Sequence, residues 1–387
     1  MAKSKKEDIS KENFKSKEYK ITVSLPPNEL ILESGEKLGP ITITFETYGE
    51  LSPKKDNAIF IFHALTGSAH AWGPYREDLK HEGWWNNAIG KNKMLNPHEY
   101  FIVVPNVLGS CYGTTGPNSI NPRTGKLYRM SFPTITIGDM VKVHKILMDY
   151  LGIKKWLAVI GGSMGGMQVL EWITRYPGTT SGAIPIATSA RLSPQAIALD
   201  YIGRKAIYLD PDWENGNYPI GKTLQGLSLA RMIGHITYLS YDSMWQKFGR
   251  DMVDPENYYS LDSRFQVENY LEYQGHKFVR RFDANSYIYL TKAMDLFDLQ
   301  RAYGTLEKAF SRVDAKVLLV SFTSDWLFPA RESEEIYGVL KKLGKKVYWE
   351  NIESIYGHDA FLVTSEIRKY RNYVSQFLKE LRENFKV

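Results

Sequence analysis

The stretch Trp156-Leu-Ala-Val-Ile-Gly-Gly-Ser-Met-Gly-Gly-Met-Gln-Val-Leu-Glu-Trp172 decides the fold of this chain. Its first five residues form an apolar run of the length of a buried strand. The pentapeptide from Gly161 to Gly165 follows and has the pattern G-x-S-x-G. From Met167 the chain then runs without Gly or Pro as far as Tyr176, where Pro177 would end a helix. The order strand, tight turn and helix predicts a nucleophile elbow, in which a serine oxygen is exposed above the edge of a sheet.

Ser163 would stand on a turn too sharp for ordinary backbone angles, and its glycine neighbours would let strand and helix approach each other. The backbone N–H of Met164 would then point to the place where a negatively charged oxygen forms. The glycines do not indicate a dinucleotide-binding loop, because their spacing is not G-x-G-x-x-G. They do not indicate a P-loop either, because no Gly-Lys-Ser/Thr follows. An incidental serine in a glycine-rich turn is the remaining alternative, and the flanking strand and helix argue against it.

The composition is that of an ordinary globular protein. The chain has 387 residues, of which 43% are hydrophobic and 24% charged, enough for one or two domains. A single cysteine, Cys111, excludes an internal disulfide and favours a cytoplasmic location. No apolar segment has the length of a membrane span, and the Lys-rich start lacks the apolar part of a secretory signal. The net charge of +6 comes without a nucleic-acid-binding motif, so we expect neither nucleic acid nor a membrane as partner.

Strands and helices alternate along most of the chain, which predicts an α/β fold. Residues 1–20 are rich in Lys, Glu and Ser, and we expect them to be flexible. The alternation stops between residues 189 and 303, where apolar and aromatic residues recur at helical spacing. This segment is predicted to be a mostly helical lid inserted into the sheet domain, which comprises residues 21–188 and 304–387.

Two predicted features precede the elbow. Residues 29–33 and 41–45 are typical of a β-hairpin. Residues 57–62 form an apolar run that predicts a buried strand, and the turn after it is where a second oxyanion donor is expected, the N–H of Leu65. His63 lies in the same turn, but the chain order of such sites puts the catalytic base last, so we interpret His63 as structural.

Three side chains with complementary chemistry follow successive predicted strands: Ser163, Asp325 and His358. The order Ser…Asp…His is typical of the α/β-hydrolase triad. Serine is a poor nucleophile without a base, so neutral His358 would take its proton and later return it, while Asp325 would orient the imidazole. The N–H groups of Leu65 and Met164 would stabilise the oxyanion. We therefore predict an α/β-hydrolase fold with the helical lid inserted after the elbow half of the sheet, and chemistry through an acyl-serine.

Two other residues have more than one interpretation. Cys111 lies in a loop rich in small residues and could be a nucleophile, but Ser163 has the better context and Cys111 is interpreted as a bystander. Arg231 lies in an apolar helical segment, where a guanidinium is costly to bury without an anionic partner. That partner is either a ligand carboxylate or a structural carboxylate, and the residues alone leave both open.

Longer blocks of the sequence resemble the α/β-hydrolase-type homoserine O-acetyltransferases, over about residues 28–380. The blocks are Phe62-His-Ala-Leu-Thr-Gly-Ser-Ala-His70, Gly113-Thr-Thr-Gly-Pro117, Phe132-Pro-Thr-Ile-Thr-Ile137, Gly162-Ser-Met-Gly-Gly-Met-Gln168, Leu229-Ala-Arg-Met-Ile233, Arg281-Phe-Asp-Ala-Asn-Ser-Tyr287, Ser324-Asp-Trp-Leu-Phe-Pro329 and Tyr356-Gly-His-Asp-Ala-Phe361. No position that would be catalytic departs from the family pattern.

The resemblance implies a ping-pong reaction in methionine biosynthesis. Ser163 would take an acetyl group from acetyl-CoA, and the side-chain hydroxyl of L-homoserine, activated by His358, would then accept it. The resemblance also implies that Arg231 binds the homoserine carboxylate and Asp359 its ammonium group, which suits a zwitterion. It implies no metal and no tightly bound cofactor, with acetyl-CoA as a substrate, and a homodimer formed through the lid.

Three alternatives remain at this stage. A succinyltransferase or an enzyme acting on L-serine would share the scaffold and triad and differ in few pocket residues. An esterase or amidase would use the same triad with water as the acceptor. A non-catalytic binding protein on the same fold would have no need to keep all three triad groups.

Overall fold

Short apolar segments become the strands of a mixed sheet in the computed structural model, which describes residues 16–74 and 82–385. Strands within these residues are β1 (Ser16–Val23), β2 (Leu30–Ile31), β3 (Lys37–Leu38), β4 (Ile41–Tyr48), β5 (Ala58–Phe62), β6 (Phe101–Pro105), β7 (Trp156–Gly162), β8 (Thr180–Ile186), β9 (Lys316–Phe322) and β10 (Val347–Ile352). The main sheet has the order β1-β4-β6-β5-β7-β8-β9-β10. Pairing is antiparallel from β1 to β4 and from β4 to β6, and parallel between all later neighbours.

The described helices cover both faces of this sheet and form one long insertion. They are α1 (Ile137–Tyr150), α2 (Met164–Arg175), α3 (Pro194–Tyr208), α4 (Gln225–Tyr238), α5 (Tyr241–Phe248), α6 (Gln266–Val279), α7 (Ala284–Asp295), α8 (Leu299–Tyr303), α9 (Leu306–Ser311), α10 (Ala330–Lys342) and α11 (Thr364–Glu383). None of the helices in the described ranges has the length and apolar character needed to cross a membrane.

The sheet buries a separate apolar cluster on each face. On one face, Phe60 of β5 packs against Trp156 and Trp172, with ring centroids 5.0 and 5.8 Å away. On the other face, α11 buries the apolar side predicted by its spacing, namely Ile367, Tyr370, Val374, Phe377 and Leu381. Because both faces are covered, the central strands are continuous apolar runs and not alternating ones. The predicted α/β fold class is confirmed.

Helices α3 to α9, here called the helical insertion, all lie between β8 and β9. These two strands are parallel neighbours, with Gly182 beside Lys316 and Ile186 beside Val320. The insertion therefore leaves and re-enters the sheet domain between adjacent strands. Residues 189–303, predicted as a mostly helical lid, form α3 to α8 within it.

The predicted flexibility of residues 1–20 is wrong for residues 16–20, which belong to β1. This strand pairs with β4 from Ser16 beside Tyr48 to Val23 beside Ile41, and Tyr19 stacks on Phe45 at 5.0 Å. Charged side chains are common on edge strands, because they prevent pairing with another chain. The Lys-rich composition is therefore compatible with an edge strand. Residues 1–15 lie outside the described part of the chain.

The predicted hairpin between residues 29–33 and 41–45 is also wrong. Strand β2 returns at once through β3, with Leu30 beside Leu38. A tight turn causes this early return, because Gly35 adopts a φ of 86° that favours glycine. The apolar residues 41–48 instead form β4 inside the main sheet, where two neighbouring strands satisfy their backbone.

Candidate active site

The predicted catalytic residues lie at the carboxyl ends of parallel strands, at one edge of the sheet. Ser163 follows β7 directly, Asp325 lies shortly after β9, and His358 lies in a short 3-10 helix after β10. Leu65 lies just after β5, which pairs with β7. In open α/β sheets this edge is where ligands bind.

Ser163 lies at the tip of a strained turn between β7 and α2. Its φ of 58° and ψ of −126° are costly for a residue with a side chain, on the order of 1–3 kcal/mol. Two glycines permit the turn, because an added Cβ would lie 2.2 Å from the Phe62 carbonyl at Gly165 and 2.4 Å from the Gly165 carbonyl at Gly161. The Thr188 hydroxyl donates a 2.9 Å hydrogen bond to the Ser163 carbonyl. The backbone of the predicted elbow is therefore held by its neighbours.

Asp325 and His358 form a buried pair. Nδ1 of His358 lies 2.8 Å from Oδ2 of Asp325, and the other carboxylate oxygen accepts the backbone N–H groups of Leu327 at 3.0 Å and Phe328 at 2.9 Å. Burial alone would lower the pKa of His358. The charge and hydrogen bond of Asp325, together with the charge of Asp359, outweigh it and raise the pKa of His358 above its ordinary value of 6.5. Nδ1 is thus fixed as a donor, which leaves Nε2 to accept a proton.

Aromatic rings flank the imidazole of His358. The ring of Phe328 lies 5.1 Å away and that of Phe361 5.6 Å away. Phe328 also lines a cavity of about 40 Å³ together with Ser163 and Leu65. Ser163 is 7% exposed and His358 3% exposed. Phe328 thus borders both the Ser163 cavity and the buried pair of His358 and Asp325.

The two predicted oxyanion donors are the backbone N–H groups of Leu65 and Met164, and both are free of hydrogen bonds to the described residues. Met164 begins α2, where the first N–H groups of a helix have no acceptor inside the helix. Within residues 16–74 and 82–385, neither its N–H nor that of Leu65 donates a hydrogen bond. Both groups are therefore available to a developing negative charge near Ser163, and their role stays a prediction.

Gln168 connects the two oxyanion segments, and sequence analysis missed it. Its amide N–H₂ donates to the carbonyls of His63 at 3.4 Å and Met164 at 3.3 Å. Its oxygen accepts from Nε2 of His144 at 3.1 Å. The side chain is fully buried. A lone glutamine in the otherwise apolar start of α2 was the available signal.

The structure supports a structural role for His63 and a passive role for Cys111. Nδ1 of His63 donates to the Ala64 carbonyl at 2.8 Å, and Nε2 accepts the N–H of Val107 at 3.1 Å, so no ring nitrogen remains for catalysis. Burial lowers the pKa of His63 to about 4. Burial raises the pKa of Cys111 to about 12, so its thiol stays protonated and unreactive at neutral pH.

Arg231 and Asp359 both lie near His358, and neither has a salt-bridge partner among the described residues. The Arg231 guanidinium packs 4.7 Å from the ring of Phe278, and its Nη1 donates to the Thr66 hydroxyl at 3.3 Å. Burial raises the pKa of Asp359, against the opposing effect of the positive charges of His358, Arg231 and Lys247. The guanidinium of Arg231 and the carboxyl group of Asp359 are thus both without an oppositely charged partner in a salt bridge within the described residues.

Comparison with known proteins first identifies the class. The family model described as alpha/beta hydrolase fold matches residues 57–363. The chain is therefore an α/β-hydrolase-fold protein, as the Ser163–Asp325–His358 order predicted.

More similar proteins then identify the family. The "Homoserine O-acetyltransferase" of Deferribacter desulfuricans is 53% identical over 92% of this chain and 94% of its own length. The crystal structure of homoserine O-acetyltransferase from Bacillus anthracis has a TM-score of 0.86 at 30% identity, covering 94% of this chain and 97% of that one. The structure of esterase E22 has a TM-score of 0.84 at 27% identity, covering 94% and 100%. The chain belongs to the homoserine O-acetyltransferase family of acyltransferases, which confirms the resemblance.

Proposed function

We propose that the protein transfers an acetyl group from acetyl-CoA to the side-chain hydroxyl of L-homoserine, through an acyl-enzyme on Ser163. The observation that carries the acceptor assignment is the pair Arg231 and Asp359. Each is unpaired among the described residues, and the two have the charges that an amino-acid zwitterion requires. The ring of Tyr238 lies 5.4 Å from the Arg231 guanidinium and 6.1 Å from the ring of His358, the residue that precedes Asp359.

The first half-reaction acylates Ser163. Nε2 of His358 takes the hydroxyl proton while Oγ attacks the thioester carbonyl, and the N–H groups of Leu65 and Met164 receive the oxyanion. Each such donor stabilises the tetrahedral state by about 3 kcal/mol in comparable sites. The C–S bond then breaks, and the imidazolium returns the proton to the leaving thiolate of CoA. The Asp325 carboxylate stabilises the imidazolium between these steps.

The second half-reaction transfers the acyl group to the acceptor. His358 takes the proton of the homoserine hydroxyl, whose oxygen attacks the acyl-enzyme carbonyl. Collapse of the tetrahedral state frees O-acetyl-L-homoserine, and the imidazolium reprotonates Ser163. We assign this reaction to methionine biosynthesis and expect it in the cytoplasm.

Water is the competing acceptor, and the low exposure of Ser163 and His358 supports transfer over hydrolysis. The specific reason to keep an esterase as the second candidate is the similarity to esterase E22. A hydrolase would have no need for a buried site that offers both Arg231 and Asp359 to an amino acid.

A homodimer through the helical insertion is supported by its exposed apolar residues. They are Tyr201, Ile202, Leu229, Ile236, Tyr241, Trp245 and Tyr273. A contiguous patch of such residues would be rare on a monomer, and we propose that they form one at the interface. In sedimentation equilibrium we expect twice the chain mass of 44.4 kDa, and the Ile236→Glu/Trp245→Glu variant should sediment as one chain. A wild type that stays at the mass of one chain at micromolar concentration would contradict the dimer.

Release of CoA from acetyl-CoA, followed with a thiol reagent, tests the proposed reaction. We expect steady release only with L-homoserine present, together with stoichiometric O-acetylhomoserine. Without an acceptor we expect a burst close to one CoA per active site, because the acyl-enzyme accumulates when homoserine is absent. Succinyl-CoA as donor and L-serine as acceptor are compared in the same assay.

Two outcomes would contradict the assignment. Steady release independent of homoserine, with fast cleavage of p-nitrophenyl acetate, would identify a hydrolase. Faster release with succinyl-CoA or L-serine would keep the acyltransferase mechanism and change the substrate.

The carboxylate role of Arg231 makes a separate prediction. Arg231→Gln should raise the KM for homoserine roughly 100-fold, as expected for loss of one buried charge-assisted contact. The burst without acceptor should remain, because acylation of Ser163 does not use this contact. The matched control is Arg250→Gln, since Arg250 is exposed and lies over the ring of Phe265. An unchanged KM for homoserine in Arg231→Gln would reject the assignment.

A further inference from the structure

One carboxyl group lines the otherwise mostly apolar cavity beside Ser163. The cavity encloses about 40 Å³, and its wall includes Leu65, Ser163 and Phe328 from the sheet domain. The helical insertion supplies the opposite wall, which includes Met294 and Asp200. The described lining contains no Lys, Arg or His. A carboxyl group beside the nucleophile and without a cation in the same described wall is costly in its charged form.

Asp200 has no counter-charge of its own. Its Oδ2 is inaccessible to solvent and has no hydrogen-bond partner among the described residues. The nearby guanidinium of Arg204 pairs with Oδ2 of Asp295 instead. The two carboxyl groups therefore share one buried cation, Arg204, since Lys292 is half-exposed and lies 3.9 Å from Asp295. The neutral form of Asp200 is favoured in this arrangement. Burial, followed by the negative charge of Asp295, raises the pKa of Asp200 to about 8, against the smaller effect of Arg204.

The proposed acceptor groups lie elsewhere. Asp359 lines a different cavity, with Lys247 and Tyr270, and Ser163 is absent from its described lining. The cavity with Asp200 is thus the one that the reacting serine itself lines, and neither Arg231 nor Asp359 belongs to its described wall, although Tyr238 in that wall contacts Arg231.

We propose that the cavity lined by Asp200 is the acyl-group subsite, and that Asp200 makes it selective for a short uncharged acyl chain against one that ends in a carboxylate. The choice of acetyl over succinyl as natural acyl group rests on the proposed function. The subsite itself requires only that Ser163 is acylated.

The volume of the cavity and the absence of a cation from its described wall both favour a short uncharged acyl chain. A cavity of about 40 Å³ exceeds the roughly 10–15 Å³ that one water needs, so it admits a group of few atoms. A succinyl chain adds a methylene and a carboxylate to an acetyl group. That carboxylate would find no cation in the described wall and would lie near Asp200, where an unpaired charge is strongly disfavoured. A neutral acyl chain of the same length is restricted only by the volume of the cavity and not by the charge of Asp200.

The charge of Asp200 changes with pH. Below about pH 8 the group is mostly neutral, and above it the group becomes an anion. The facing ionisable groups are Asp295 and Arg204, which form an ion pair that leaves Nη1 of Arg204 without a hydrogen-bond partner among the described residues. The others are the phenols of Tyr238 and Tyr287, whose pKa values burial raises above 10 and on which the charge of Arg231 also acts. Rejection of an anionic acyl chain should therefore increase as pH rises through about 8. A neutral acyl chain should show no such change.

The experiment compares two esters of equal chain length that acylate Ser163 without CoA or homoserine. They are p-nitrophenyl butanoate, which is neutral, and mono-p-nitrophenyl succinate, which is anionic. The ratio of their kcat/KM values, succinate over butanoate, is measured from pH 7 to pH 9. The catalytic groups affect both esters alike and cancel in the ratio. With a pKa of about 8, the neutral fraction of Asp200 falls from about nine-tenths to about one-tenth, so the ratio should fall roughly tenfold in the wild type.

Asp200→Asn removes the ionisable group with little change of shape, and its ratio should be constant across this pH range. Asp314→Asn is the matched control, because Asp314 is exposed and precedes β9 at the opposite end of that strand from Asp325; its ratio should fall as in the wild type. A constant ratio in the wild type overturns the proposal, and so does an equal fall in Asp200→Asn. Should that variant not fold, the wild-type profile alone decides. Because neither CoA nor homoserine takes part, failure of the proposed acetyl transfer to homoserine would be detected separately by the CoA assay.

Discussion

Replacing Ser163 with alanine is expected to lower kcat for homoserine-dependent CoA release by at least about 10⁴-fold. The burst of CoA without acceptor should vanish, because Ser163 alone stands on the elbow turn, whereas Thr237 and Asp200 in the described cavity wall do not. Cys111 cannot substitute, since burial keeps its thiol protonated. The measurement is stopped-flow thiol detection combined with mass spectrometry of the intact chain, in which the acetylated form should appear only with the wild type.

The control variant is Ser163→Gly, which is chosen because of the backbone angles at this position. Glycine tolerates a φ of 58° and alanine does not, so Ser163→Gly should unfold at a higher temperature than Ser163→Ala, with a difference of about 1 kcal/mol. Both variants should be equally inactive. Retention of a tenth of the wild-type activity in either one would show that acetyl-CoA reacts with homoserine directly, without an acyl-enzyme.

Changing Asp325 to asparagine should lower kcat by about 10⁴-fold with little loss of stability. The asparagine oxygen can still accept the N–H groups of Leu327 and Phe328, as Oδ1 does now. Its NH₂ would then face Nδ1 of His358 and require that nitrogen to be an acceptor. The proton would move to Nε2, which could no longer take the proton of Ser163. Kinetics and thermal unfolding of the same sample separate this loss from misfolding.

Asp325→Ala is the companion variant for this prediction. It should be as inactive as Asp325→Asn but less stable, because the two backbone N–H groups lose a buried acceptor at a cost of about 1–3 kcal/mol each. Near-normal activity in Asp325→Asn would mean that another group orients the imidazole, and the triad assignment would be wrong.

The elbow and the chain order of the triad were predictable from sequence because their signals are local. A strand, a glycine-flanked serine and a helix occupy consecutive residues, and Asp325 and His358 each follow an apolar run that becomes a parallel strand. Parallel strands bring their carboxyl ends to one edge, so chain order alone predicts that these side chains meet.

Gln168 and Asp200 could not be predicted in the same way, because their importance depends on which residues surround them after folding. Gln168 lies in an apolar helix, and only the packed structure shows the carbonyls of His63 and Met164 within reach. Asp200 is flanked by apolar residues in α3, and nothing local indicates that Arg204 pairs with the distant Asp295.

The placement of the helical insertion between two adjacent strands has an evolutionary consequence. Its ends leave the sheet domain at β8 and β9, which pair side by side, so its length and sequence can drift without disturbing the strands that carry Ser163, Asp325 and His358. Arg231 and Asp200, proposed to recognise acceptor and acyl group, both belong to the insertion. The catalytic residues and these two recognition residues can thus be inherited separately, whereas Asp359 stays beside His358. This separation explains how one scaffold serves both an acetyltransferase and an esterase among its structural neighbours.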